Sequence, residues 1–558
     1  MKKLFLIPVI ALCLSACSED LSEYYTRLEK QEAANKALQQ DNAKQEQQNA
    51  DLRNKNNQIR LEGEELRRRL LELEQSLVVV PEPKLFSMDF YKSENPSLVS
   101  NVKCEIIGDS IIDCWVPGIT DNKELIPRFA FEGTMVLFDG IEAVSEKTKI
   151  DFKKPVVVTV LTSDKKMEYT MYVHAYTGLP LLYITTANRA AITSKVYYVK
   201  AQFKLVEDVK TRGPGDVVSA SVNIRGRGNS SWKLPKKAYR LKFDEKISLL
   251  GEHKDKSWVL IPNYPDKSML RNRTACYMSS LSSLDYTPKS HFVEVILNGK
   301  YNGTYELCEK IKVSNHRVDV GDDGFLVEVD MRAVDESDAR IFRTTYLENC
   351  VNIKEPEVQY GDANFNYIKN YFAQTEAALF GANFKDVNNG WQKYMDMDSF
   401  VDWYLINEIS KNLDGLFYTS CFMNLKRGGK LKMGPVWDFD VAFGNISQAN
   451  QTCYLPTGFY IKNVRWYSRL FQDPAFVKRV KEHFNILYNH KNEILAYINA
   501  DAQYLRYAVD ENEKVWGTFY HYTWSNYDIW GSYQNEVQCL KEWMNKRMEW
   551  LKTQFDAM

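Results

Sequence analysis

The chain has 558 residues, with 72 basic and 73 acidic side chains and 44% apolar residues. It is too long for one ordinary domain and long enough for a large core. Near-neutral charge and the lack of any Lys/Arg block give no basis for a nucleic-acid partner.

Lys2 and Lys3 precede an apolar run, Leu4 to Leu14, that is too short to span a bilayer as a mature helix. Residues 1–16 therefore read as a signal peptide rather than as fold. "LSAC", Leu14 to Cys17, resembles a bacterial lipobox, which implies cleavage before Cys17 and lipidation of its sulfur; ordinary secretory cleavage is the competing reading. Ser18, Glu19 and Asp20 resemble the acidic tag that sends some Bacteroidetes lipoproteins to the surface. The resemblance implies an outer-membrane-anchored lipoprotein, facing the periplasm or the cell surface. Of ten cysteines, eight remain after Cys13 and Cys17 are set aside, with no CxxC or zinc-like spacing. Export permits disulfides, and Cys104 and Cys114 are expected to face each other across a hairpin. The others read as small buried hydrophobes.

Residues 21–77, within a stalk segment 17–80, carry a seven-residue repeat. One seam holds Leu21, Leu28, Asn35, Asn42, Asn49, Asn56, Gly63, Leu70 and Leu77. The other holds Tyr24, Gln31, Leu38, Gln45, Leu52, Ile59, Leu66 and Leu73. The 3- and 4-residue steps predict a coiled coil, and asparagines at one seam position favour a parallel, in-register homo-oligomer. Such a stalk reaches roughly 85 Å. A disordered polar tether is the alternative, because the middle is rich in Gln and Asn. "VVVPEPK" ends the helix. Seven short strand-like runs across residues 84–177 then predict an all-β sandwich, which resembles the immunoglobulin-like modules of Bacteroidetes surface lipoproteins. "GDS", Gly108 to Ser110, reads as a hairpin turn rather than a hydrolase nucleophile.

Residues 180–558 read as an α+β domain, β-rich first and helical towards the end. In "SVNIRGRGNSSWKLPKKAYRLKF", Arg225, Gly226, Arg227 and Gly228 follow a strand. Glycines there allow either a plain turn or a nest of N–H groups for phosphate oxygens, and Lys237 or Arg240 on the next strand is aimed at the same place. "NYPDKSMLRN" leads into a helix with Asp266 and Ser268 as caps and Arg271 and Arg273 on its first turns. Glu309 sits at the exit of a hairpin over "NGKYNG", where a lysine partner, a metal or plain solvent are all open readings. Phe400, Val401, Tyr404, Leu405 and Ile409 mark a helix with Asp398 as its expected cap.

That helix exits into "KNLDG", followed by a predicted hairpin turning at Gly428-Gly429 and the acid-bearing "GPVWDFDVAFG". A two-residue turn sets Asp438 opposite Thr419 and Asp440 opposite Phe417, back beside Asn412 and Asp414. An aspartate, a hairpin and a second aspartate occur in that order in protein kinases. Phosphoryl transfer needs a carboxylate to orient the hydroxyl and cations to offset charge.

The blocks "RGRGNSSW…PKKAYRLKF", "NYPDKSMLRN", "LNGKYNGTYELCEKI", "NEISKNLDG" and "GPVWDFDVAFG" together resemble the spore-coat protein H (CotH) kinase family. The resemblance implies a reduced, atypical kinase-like fold that transfers phosphate from ATP, with Mg²⁺ or Mn²⁺, to serines of secreted or surface proteins. It implies Asp414 as catalytic aspartate assisted by Asn412, and Asp438 as metal ligand assisted by Asp440. It also implies Lys237 at the nucleotide phosphates with Glu309 as its partner, beside Arg225, Gly226 and Gly228; Lys236, Lys242 and Glu306 compete for those roles. Two rivals stand beside it. One is an inactive envelope scaffold for adhesion or glycan capture, with aromatics of Trp516 to Trp530 as stacking faces. The other is a metal-dependent hydrolase, which would want further ligands. No HExxH, GxSxG or Walker-type motif is present.

Overall fold

The computed structural model describes residues 18–41, 49–76, 82–98, 101–116, 124–207, 217–336, 339–446, 451–523, 526 and 528–558. The leader, Cys17, the seam residues Asn42, Gln45 and Leu77, and Val78 to Pro81 lie outside the described residues. The chain divides into two compact units, Met1–Pro81 and Glu82–Met558.

The first unit contains the helices Ser18–Asp41 and Asn49–Ser76. On the second, the seam residues Ile59, Gly63, Leu66 and Leu70 are half-buried, whereas the seam residue Leu73 is exposed, as are Leu61 and Leu71. Exposed ion pairs such as Arg60–Glu64 and Arg68–Glu72 line its outer faces. Among the described residues no helix is long and apolar enough to cross a membrane.

The second unit opens with two sheets closed over one core. A three-stranded sheet orders Val102–Lys103, Lys84–Phe90 and Arg128–Glu132. A six-stranded sheet runs Glu105–Ile107, Ile111–Val116, Lys166–Ala175, Val156–Leu161, Met135–Phe138 and Ile141–Ala143. Leu85, Met88, Phe90, Ile112, Phe138, Val158 and Met171 fill the space between them. "GDS" is the turn between two paired strands. Because Glu105 pairs with Asp113, Cys104 falls opposite Cys114; their thiols touch, and both cysteines are free.

Seven strands next form a closed barrel. Around it run Leu181–Thr186, Val199–Val206, Val217–Gly226, Tyr239–Ile247, Asp255–Ile261, Lys300–Glu309 and Ser290–Leu297, which returns to the first strand in parallel. Alternation sends Val222, Ile224, Tyr239, Leu241, Trp258 and Leu307 inward, each large side chain worth about 1.5–3 kcal/mol of burial. Arg225 and Arg240 oppose each other between the inward positions, on the outer face.

A five-stranded sheet follows, ordered Ile341–Arg343, Cys350–Glu355, Phe325–Val329, Cys421–Leu425 and Leu431–Met433. The helix Met397–Ser410 is buried from Ser399 to Ser410, so it is a central rod rather than an amphipathic surface helix. Asp396, not the expected Asp398, caps it by accepting from the Ser399 N–H. Asp398 instead takes Arg479 in a two-point pair at 2.6 and 3.0 Å. Within the aromatic run, Trp516 donates to the Asn302 carbonyl and Phe519 is buried, whereas Tyr520 and Tyr522 face solvent.

Candidate active site

The site is built where the central helix ends. Lys411 turns left-handed at φ 47°, closing the helix, and its N–H returns to Asn407 and Glu408. Glu408 is fully buried, paired with Arg547 at 2.6 Å, and accepts the N–H groups of Tyr460, Ile461 and Lys462. The C-terminal helix Tyr533–Asp556 thereby clamps the exit loop. Asn412 is buried, donates to Asn407 Oδ1 at 3.1 Å and accepts the Asp414 N–H. It positions Asp414 by fixing the backbone on either side.

The acids return by a route that differs from the expected one. The hairpin pairs Met423 with Met433 and Leu425 with Leu431, so residues 426–430 form the turn and the ladder ends at Met433. Pro435 has no N–H to extend it. Asp438 consequently meets Ser420, whose Oγ donates to Oδ2 at 3.3 Å, rather than pairing with Thr419. Thr419 donates to Asp330 at 2.8 Å instead.

The acid loop is pinned through its backbone. Asn272 Oδ1 accepts the Phe439 N–H at 2.7 Å, Arg271 Nε donates to the Ala442 carbonyl, and Asn445 donates to the Asp440 carbonyl. The Phe443 N–H reaches Ser410 O at the helix end. Asp266 is fully buried and holds Arg271 through Nη1 and the backbone N–H. Phe417, Ser420, Asp438 and Phe443 join Lys411 in having positive φ without being glycine, and such strain persists only where surroundings enforce it.

Electrostatics ties these pieces together. Burial, then the Asp438 charge, pushes Asp414 up to about 8, with Arg332 opposing. Burial also raises Asp438, against Arg227 and Arg332. Asp440 is driven well above the carboxylate range by burial, then by Asp438, Asp266 and Asp414. The three acids thus form one cluster with too little positive charge. Hard carboxylate oxygens are the ligands that Mg²⁺ or Mn²⁺ takes, and Asp438 and Asp440 are the residues that could hold such an ion. Among the described residues no group of three or more His, Cys, Asp or Glu side chains is placed to hold a metal ion, so an ion here would need ligands from phosphate and water.

The opposite imbalance lies nearby on the barrel. Arg240 is lowered by burial and by crowding from Arg225 and Arg227. Lys310 falls to about 7 through burial and then Arg240, with Lys354 and Lys312 adding to it. Among the described residues the buried Nε atoms of Arg225 and Arg240 have no hydrogen-bond partner, and the Arg225 guanidinium lies 5.0 Å from the Tyr198 ring centre. Arg227 links the two regions, feeling Asp438 and Asp440 on one side and Arg240 on the other.

Two expectations are corrected. Lys237 and Glu309 do not pair: Lys237 Nζ turns back to the Trp232 carbonyl at 2.8 Å. Glu309 is buried at the barrel end with Tyr286, the Lys289 N–H and Arg317. Strand position did not predict this, because Glu309 pairs with Trp258, away from the row holding Arg240. The Gly226 N–H is occupied by Ser194 O, so it is no free nest donor. Gly226 is needed instead because a Cβ would come within 2.4 Å of the Trp232 ring, and Gly228 because φ is +85°. Of the competitors, Lys236 is buried against Thr304 O and Asn512, and burial lowers it to about 7. Glu306 accepts from Asn263 and Ser290. Arg332 was missed because "DMRAVD" has no spacing signal; it arrives beside Asp414 through the strand pairing of Phe325–Val329 with Cys421–Leu425.

The cations at the end of the barrel strands and the acids of the exit and acid loops thus lie next to each other, linked by Arg227. The family model described as CotH kinase protein matches residues 224–551, more than half of the chain, and the chain belongs to that family. No curated protein matches it.

Proposed function

We propose that the chain is an envelope-anchored protein kinase of CotH type, transferring a phosphoryl group from ATP to Ser or Thr of secreted or surface proteins. The observation that carries this is the double imbalance: Asp414, Asp438 and Asp440, only partly offset by Arg227 and Arg332, beside Arg240 and Lys310, only partly offset by Glu355. A triphosphate with a divalent cation neutralises both at once. Asp438 and Asp440 hold the cation, which supplies charge neutralisation on phosphate oxygens. Arg225, Arg227 and Arg240 bind the phosphates. Asp414 orients the acceptor hydroxyl and takes its proton, held in place by Asn412. Arg332, between Asp414 and Asp438, offsets charge that develops on the transferred group.

The rest of the chain serves placement. Lipid on Cys17 anchors it, residues 17–80 pair as a parallel coiled-coil stalk through the stripe ending in Leu66 and Leu70, and residues 84–177 form an immunoglobulin-like spacer. Purified full chain, labelled ATP and Mg²⁺ or Mn²⁺ test the reading by transfer of label to itself or to a serine-rich acceptor. Transfer should vanish in Asp414→Ala with the fold retained. Unchanged transfer in that variant rejects the role of Asp414, and absence of both transfer and ATP binding in the wild type rejects the enzyme.

A further inference from the structure

A cavity of about 320 Å³ lies where the region 84–177 meets the barrel. It shares no lining residue with the acid or cation clusters, and its size is at the lower end of small-ligand sites, roughly 300–1,000 Å³. Trp115 and Tyr176 reach it from one side and Tyr183 from the other. Trp115 is held rigidly, stacked on His174 with ring centres 4.9 Å apart, edge-on to Tyr301 at 4.9 Å and 6.0 Å from Tyr176. Its lining also carries polar residues of both kinds: Asn101, Lys103, Glu105 and Asp113. Asp113 is fixed by His174 at 3.2 Å and Glu105 by Arg189 at 2.5 Å. The indole Nε1 of Trp115 is buried without an acceptor among the described residues, and such a donor points to a polar partner from outside the protein.

The lining discriminates among ligand classes. An anion would meet Glu105 and Asp113. An organic cation would meet Lys103, and Lys204 already lies 5.7 Å from the Tyr183 ring centre. A purely apolar ligand would strand the amide and both carboxylates. A neutral polyhydroxylated ring satisfies all three constraints, because its C–H face stacks on an aromatic plane while its hydroxyls both donate and accept. We infer that this cleft is a saccharide site taking one or two sugar rings, with Tyr176 and Tyr183 as stacking faces, Asn101, Lys103 and Glu105 as hydroxyl partners, and the buried Trp115 indole N–H as a donor.

This inference does not depend on phosphoryl transfer. The full chain is titrated with glucose, galactose, N-acetylglucosamine, maltose and lactose, and with choline as a cationic probe, using saturation-transfer NMR and calorimetry. At least one sugar should saturate a single site per chain, and Tyr176→Ala and Tyr183→Ala should each weaken it about three- to tenfold, with ATP binding unchanged. Lys103→Ala and Asn101→Ala, at exposed positions, test the same cleft without disturbing the core. No saturable binding by any of these sugars, binding of choline in their place, or affinity indifferent to all four substitutions overturns the proposal.

Discussion

Asp438→Asn separates stability from function within one side chain. In the wild type the Asp438 charge is the second cause, after burial, of the rise in Asp414, and the foremost charge acting on Asp440. A neighbouring like charge costs a carboxylate about 1.5–4 kcal/mol. Asparagine keeps the shape and can still accept from Ser420, but removes that repulsion. Arg227 loses one acid and retains Asp440, so part of the gain is returned; about 1–2 kcal/mol should remain. For a unit as large as Glu82–Met558 that is a rise of about 1–2 °C in the metal-free melting temperature. The sign with pH follows the same logic. A carboxyl whose folded pKa of about 8 exceeds its unfolded value binds more protons when folded, so metal-free stability falls as pH rises from about 4 through 8, and less steeply in the variant. Scanning calorimetry at several pH values, with and without MgATP, checks this. MgATP should raise the wild-type melting temperature and leave the variant unmoved. A variant that melts below the wild type in metal-free buffer refutes the claim that the acids repel one another.

Arg332→Ala should lower kcat by at least ~100-fold with little change in the KM for ATP; an equal loss in KM alone would place Arg332 in ground-state binding. His174 lies between Asp113 and Glu511 at 3.2 and 3.0 Å, and although burial opposes it, the two acids raise its pKa. Its contribution to stability is therefore full below about pH 6.5 and fades as pH climbs through the higher folded value; a His174→Gln melting profile that keeps the wild-type pH dependence would contradict this. Exchange with an oxidised dithiol should link Cys104 to Cys114, adding about 3 kcal/mol for a loop of about ten residues, and intact-mass analysis with melting reads both. Residues 18–80 should sediment as an oligomer at high concentration; a monomer there removes the stalk.

What was legible in the sequence is what local chemistry dictates. The order of Asp414, a hairpin and then Asp438 and Asp440 follows from short-range turn and strand signals, and so does the placement of "GDS" on a turn. Glycine at 228 is set by its own backbone angle. Small shifts escaped even locally: a turn over residues 426–430 instead of two glycines moved the partner of Asp438 from Thr419 to Ser420. Charge partnership was not legible at all. Lys237 and Glu309 lie on strands whose identity was readable, yet which faces they share depends on how the barrel closes. Closure gave Glu309 to Arg317 and left Lys237 at Trp232. Only the folded chain decides that Arg227 and Arg332 stand beside the acids while Arg225 and Arg240 are left unpaired, because Coulomb energies depend on distances in space that strand periodicity does not encode.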